Sequence, residues 1–176
     1  DQVVLLVQND VGYKNLMKLT SQSYLQPAAY SDKPAVTWED LETYSKGLLC
    51  LTGGVKGPIG RLILENRHVE ADKNILRLKK IFGNRLYIDL ERHGLADEVQ
   101  TEDVFLEMAF KHDIPIVAVN NCFFADPDMY EAHDALLCIA ESAYVQDKNR
   151  RKASPKHYFK SSAQMVDLFK DLPEAV

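Results

Sequence analysis

The chain has 176 residues and a formal charge of −5, from 21 Lys and Arg against 26 Asp and Glu. That length suits one domain, or part of a larger one, and the acidic balance excludes a uniformly basic nucleic-acid-binding surface while leaving a local basic patch open. With 46% hydrophobic and 27% charged residues, eight Gly and seven Pro, the chain is no low-complexity or disordered segment.

Val3 to Val7 is a short apolar, β-branched run that predicts a strand, and from Gly12 the apolar residues Leu16, Leu19 and Tyr24 fall at helical spacing. Pro27 to Pro34 reads as a loop. Thr37 ahead of Glu39 and Asp40 predicts a helix start, with acid at the positive end of the helix dipole. Gly47 to Thr52 predicts a second strand closed by Gly53-Gly54, and Pro58 opens a helix over Ile59 to Asn66. Val69 to Phe82 is amphipathic and ends at Gly83, and Leu86 to Leu90 is a third strand. Thr101 with Glu102 and Asp103 predicts the start of the next helix, followed by a fourth strand at Ile116 to Val119. Helices over Met129 to Ser142 and Ser162 to Leu172 flank a basic loop from Lys148 to Lys156. Four apolar strands alternating with helices predict an α/β fold of parallel βα units with both sheet faces covered, and ligands gather where such strands end.

The longest apolar runs, Val3–Val7 and Ile114–Val119, fall far short of the roughly 20 residues that span a bilayer. No secretory signal opens the chain, so a cytoplasmic, reducing setting is expected, and Cys50, Cys122 and Cys138, odd in number, widely spaced and in apolar surroundings, read as buried thiols. The start at Asp1, running at once into a strand, reads as a chain cut from something longer.

Candidate chemistry is sparse. Gly53-Gly54 through Gly60 resembles a phosphate-cradling loop, yet it lacks the Walker Gly-Lys-Ser/Thr and the dinucleotide spacing, so a structural turn is expected, with Lys56 the residue that could touch a phosphate. His93, just past a strand beside Asp89, Glu91 and Arg92, is placed for a metal ligand or general base. The other histidines (His68, His112, His133, His157) show no paired spacing; His68 and His112 read as solvated or capping, and His133 as a packing residue. Arg150, Arg151 and Lys152, within the basic stretch that runs on to Lys160 around Tyr158 and Phe159, are either DNA contacts or a solvated loop.

Several stretches in order, Leu5 to Asn9 with Gly12 to Leu16, Gly47 to Gly54, Leu86 to Gly94, Ile114 to Asn120, Ala132 to Asp134 and Tyr158 to Ala175, resemble the N-terminal polymerase-and-histidinol-phosphatase (PHP) domain of the bacterial DNA polymerase III alpha-subunit family. The resemblance covers essentially residues 1–176 as a single domain. It implies the later two-thirds of a distorted β/α barrel whose opening strands, with their His-x-His motif, are missing, and whose polymerase palm, fingers and thumb lie elsewhere. Family members place a metal cleft at the strand ends. At the matching positions this chain has Gln2 for a His, and Asn120-Asn121-Cys122-Phe123 where an Asn-Asp-x-His is usual; His93 alone matches. An amide is a weak ligand and a phenyl ring offers no lone pair, so the resemblance implies a degenerate site without a cofactor, with Mg2+ reserved for the parent polymerase. It further implies a scaffold contacting the rest of the alpha subunit and the proofreading exonuclease (epsilon) subunit, with DNA reached through the parent polymerase and no membrane. An active PHP phosphoesterase or 3′–5′ exonuclease, and a free-standing sugar-phosphate phosphatase, are the alternatives.

Overall fold

The structure is a computed structural model that describes residues 1–25 and 33–176; the loop expected from Pro27 lies, up to residue 32, outside the described residues. Strand β1 (Val4–Val7) leads into helix α1 (Asp10–Leu25), and α2 (Trp38–Tyr44) precedes β2 (Leu48–Leu51). Helices α3 (Gly60–Leu64) and α4 (His68–Phe82) lead to β3 (Leu86–Glu91), α5 (Ala96–His112) to β4 (Ile116–Val119), and α6 (Tyr130–Glu141) and α7 (Ser162–Leu168) close the chain. The strands form one mixed α/β sheet in the order β1-β2-β3-β4.

Helix starts follow local chemistry. Thr37 caps α2, its hydroxyl accepting the Asp40 N–H while the Asp40 carboxylate accepts the Thr37 N–H at 2.9 Å. Ser161 and Gln164 repeat that exchange at α7. Helix α5 starts five residues before the expected Thr101. The Thr101 hydroxyl donates back to the Asp97 carbonyl from inside the helix, and Glu98 is the residue that closes the first turn by accepting the Leu95 N–H. Helix α7 stops at Leu168, short of the expected Leu172, and Arg92 satisfies the freed Leu168 carbonyl by donating to it at 2.8 Å.

The all-parallel expectation needs correction at β1. β2, β3 and β4 run parallel, but β1 lies antiparallel to β2, from Val4 opposite Leu51 to Val7 opposite Leu48. Two helices intervene between β1 and β2, so the chain enters β2 from the end where β1 stopped, as Gln8 N–H donating to the Gly47 carbonyl at 2.9 Å records. The start of β1 therefore returns to the rim formed by the C-terminal ends of the other three strands. Gln2 N–H donates there to the Lys56 carbonyl.

Burial falls on the middle of the sheet. Leu48, Cys50, Leu86, Ile88 and Leu90 pack with Ile63 of α3, Ile75, Leu78 and Phe82 of α4, and Phe105 of α5. Both outer strands are half-open rather than covered: Val4, Leu6 and Val7 are exposed, and β4 is only partly buried. Among the described residues the sheet ends at two unpaired edges, β1 and β4, an open arrangement and not a closed barrel. Cys50 and Cys138 are buried as expected, Cys122 is exposed, and burial pushes the Cys50 thiol up to about 12. No helix among the described residues is long and apolar enough to cross a membrane.

Replacing fully buried Ile75 with Ala should destabilise the fold by about 2–5 kcal/mol in a denaturant titration. Its exposed neighbour Leu76, changed the same way, should shift stability by less than about 0.5 kcal/mol.

Candidate functional site

The strand-end rim gathers the expected residues around β3. Asp89, in the strand, is 2% exposed; its Oδ1 accepts the Thr52 hydroxyl at 2.7 Å and the Gly53 N–H at 2.8 Å. The glycine turn after β2 thus meets an anion supplied by the chain itself. Gly53 has φ +87°, and a Cβ there would fall 2.1 Å from the Gln2 carbonyl oxygen, so the close approach of β1 to this turn requires glycine. Gly54 sits over the Asp89 and Glu91 carboxylates.

His93 is 1% exposed and engaged on every side. Its N–H donates to Glu98 Oε2 at 2.7 Å, its carbonyl accepts the Ser154 hydroxyl at 2.5 Å, and its Nδ1 lies 2.8 Å from Glu98 Oε1. Its Nε2 lies 3.2 Å from Asn120 Oδ1. The Asn120 amide is oriented by its own partners, because Lys160 can only donate to Oδ1 and the Tyr158 carbonyl can only accept from Nδ2. The Nε2 of His93 must therefore donate. Burial works against an ionised Glu98, but the hydrogen bonds from His93 and Leu95 outweigh it and hold the carboxyl below its ordinary range. Both ring nitrogens of His93 thus face acceptors.

Rings continue the order outward. His93 stacks on His157 with centroids 4.0 Å apart and planes 11° from parallel, and Phe123 stacks on the far face of His157 at 4.6 Å and 5°. Phe123 also lies 5.8 Å from His133, nearly parallel. Phe123 is thus a rung in a ladder of three imidazoles and one phenyl ring, tied down by its N–H donating to the His157 carbonyl at 2.8 Å. Burial first, then His93, lowers the pKa of His157. Asn121 turns its amide N–H toward Glu91 Oε1 at 2.9 Å, and burial raises the pKa of Glu91.

Among the described residues, one cluster could hold a metal: ligand atoms of Glu91, His93 and Glu98 lie within 4.8 Å of one another. Its donors are already committed. Both ring nitrogens of His93 lie against oxygens of Glu98 and Asn120, Glu98 also accepts two backbone N–H groups, and Glu91 accepts from Asn121. Phe123 supplies no lone pair, and Gln2 stands at the same rim with an exposed side chain. This set does not fit a multinuclear metal centre, whose ions need several free, converging anionic or imidazole donors. The cavity between Gly54, Asp89, Glu98 and Phe105 is about 10 Å3, room for one water at most.

The basic stretch divides. Arg150 turns inward, its guanidinium donating to both oxygens of Asp134 at 2.6 and 2.5 Å with a side chain 4% exposed, whereas Arg151 and Lys152 are exposed. An inward guanidinium already paired with a carboxylate offers no free fork to a phosphate. Lys160, whose pKa burial and Lys156 lower, points at Asn120, and exposed Phe159 stands beside it. Of the other histidines, His112 pairs with Asp72 at 2.7 Å and His68 opens α4 in solvent. Sequence spacing does not flag Glu98, and it places His157 only within the basic stretch that runs on to Lys160. An acid at the third position of α5 is a capping signal, but placing the helix start at Thr101 hid it.

A PHP domain family model matches residues 1–93. The DNA polymerase III subunit alpha of Caulobacter vibrioides is 42% identical over 173 residues, 98% of this chain and 15% of that protein. The subunits of the same name from Borreliella burgdorferi and Vibrio cholerae are 40% and 35% identical, each over 99% of this chain and 15% of the relative. The chain thus spans about 15% of the length of these curated relatives.

Glu98→Gln should cost about 3–5 kcal/mol in a denaturant titration, since it strips the buried His93 of its anionic partner. A lowered Glu98 stabilises the fold above its ordinary value of 4.5, and that contribution is lost as pH falls through the folded value. A lowered His157 adds a second acid-side loss that begins below 6.5, so stability should fall on acidification in two stages, and Glu98→Gln should remove the lower one.

Proposed function

Because the chain belongs to the PHP-domain family, we propose that residues 1–176 are the PHP segment of a bacterial replicative DNA polymerase alpha subunit, acting as a scaffold and not as a hydrolase. The observation that carries this reading is the way Asn120, Asn121 and Phe123 fill the strand-end rim: two amides and a ring bind His93, Glu91 and His157 into a satisfied network where a hydrolase needs open metal positions. Relatives of that name align with nearly the whole chain, which supports treating it as one domain of a longer protein, for which a cytoplasmic setting is proposed. In that protein the segment packs against the rest of the alpha subunit and helps hold the proofreading exonuclease (epsilon) subunit. Polymerisation, with its Mg2+ and the main grip on DNA, belongs to parts of the protein outside these residues.

One observation favours a second reading, a metal-dependent phosphoesterase or 3′–5′ exonuclease. Glu91 and Glu98 line a groove of about 420 Å3 with Lys156, where a phosphate ester would find a cation next to the carboxylate cluster. Elemental analysis of the full-length protein with a manganese-supplemented phosphodiester assay separates the two. Substoichiometric metal, no turnover and retained epsilon binding are expected; stoichiometric metal with turnover abolished by His93→Ala would overturn the scaffold reading.

For DNA, exposed Arg151 and Lys152 are the contacts proposed. In the full-length polymerase, Arg151→Glu with Lys152→Glu should weaken binding uniformly across sequences and reduce the salt slope by about 2. An unchanged slope would leave the loop as solvated surface.

A further inference from the structure

Helix α6 carries an apolar face that no other helix or strand among the described residues covers. Leu136 and Ile139 are 61% and 76% exposed, and Tyr144 and Val145, in the loop that follows, are 76% and 54% exposed. Ile139, Tyr144 and Val145, with Ala135, Ala143, buried Cys138 and the polar Ser142 and Gln146, line a groove of about 540 Å3, and Leu136 stands on the same helix outside it. Scattered apolar side chains are ordinary on a surface, but a contiguous groove of them marks an interaction site.

The groove is built, not incidental. Helix α6 ends at Ser142 in the left-handed region, with φ 53°, and Ala143 N–H donates back to the Cys138 carbonyl, turning the chain so that Tyr144 and Val145 rise beside the helix. Tyr144 N–H is held by Asp147 at 2.8 Å. Arg150 then braces the two walls, pairing with Asp134 on α6 and donating to the Val145 carbonyl at 3.3 Å. An almost fully buried guanidinium that joins helix to loop fixes the groove before anything enters it, which lowers the ordering entropy of docking.

We propose that this groove receives an apolar segment of the same polypeptide, from outside residues 1–176. The proposal rests on the reading that this chain is part of a longer alpha subunit: relatives matching it end to end are long enough that it makes up about 15% of them, so most of such a protein lies outside the described fold. Size favours an intrachain occupant over a second copy. A stable dimer buries roughly 800 Å2 and 20–30 residues on each partner, far more than the eight residues lining this groove supply. A tethered segment needs less, because a linker raises its effective concentration to about the millimolar range and the association entropy is largely removed.

The test uses the full-length protein with a photoreactive benzophenone amino acid replacing Ile139, a position exposed enough that the fold is unaffected, and the same group replacing exposed Val69 of α4 as control. Irradiation should join position 139, and not 69, to peptides of the same chain outside residues 1–176, with a yield constant over a roughly 100-fold range of protein concentration, as mass action requires for an intramolecular contact. Ile139→Asp should increase hydrogen exchange in the captured peptide. Cross-links to a second copy with a yield that rises with concentration, cross-links to a different protein, or none at all would each overturn the proposal. Primer extension on the same preparation keeps the two readings apart: extension without an in-chain cross-link removes the docking site alone, whereas failure to extend removes the polymerase assignment.

Discussion

His93 and Glu98 meet in the interior at 1% and 5% exposure, and most of the strand-end rim is arranged to make that burial tolerable. A buried imidazole and carboxylate are stable only when their remaining hydrogen-bonding capacity is met, and here it is met by backbone as well as side chains. Glu98 takes the N–H groups of His93 and Leu95, which also starts α5 at the correct residue. Ser154, from the distant basic loop, takes the His93 carbonyl. A single pair thus fixes the end of β3, the first turn of α5 and the position of a loop some 60 residues downstream.

The ring ladder carries this constraint toward the surface. His157 is sandwiched between His93 and Phe123, and lowering its pKa favours the neutral ring that tolerates a second imidazole 4.0 Å away. Phe123 fills a position where an imidazole would present a lone pair, and its phenyl ring instead contributes stacking and excludes water. A side chain that cannot ligate an ion here supplies packing. Physical sense and the scaffold reading coincide here: groups that could have converged on an ion converge on one another.

Arg92, the neighbour of His93, extends the order in the opposite direction. Its guanidinium makes paired hydrogen bonds to Glu102 and Asp171, donates to the Leu168 carbonyl and lies 4.6 Å from the Phe169 ring centroid. These contacts hold the Asp171 carboxyl down to about 2 and fasten the C-terminal segment to the rim. Arg150 plays the corresponding part for α6. Both arginines act by bridging elements that have no strand pairing between them, which suits a domain whose sheet has open edges and whose outer elements need other ties.

The sequence alone determined the strand positions, most helices and the mixed α/β class, because apolar periodicity and capping residues such as Thr37 act within a few residues of chain. It also carried the family resemblance and the Gln2, Asn121 and Phe123 departures, since these are identities at single positions. Only the tertiary structure decided the direction of β1, the inward turn of Arg150, the exposure of Cys122 and the roles of Glu98 and His157. Strand direction depends on how many helices pack between two strands, and a side chain's role depends on which distant group reaches it. Local spacing encodes neither. His93 was legible as a residue of interest because it ends a strand; that its two nitrogens are spoken for by Glu98 and Asn120 follows from packing that joins residues 5 and 27 positions away.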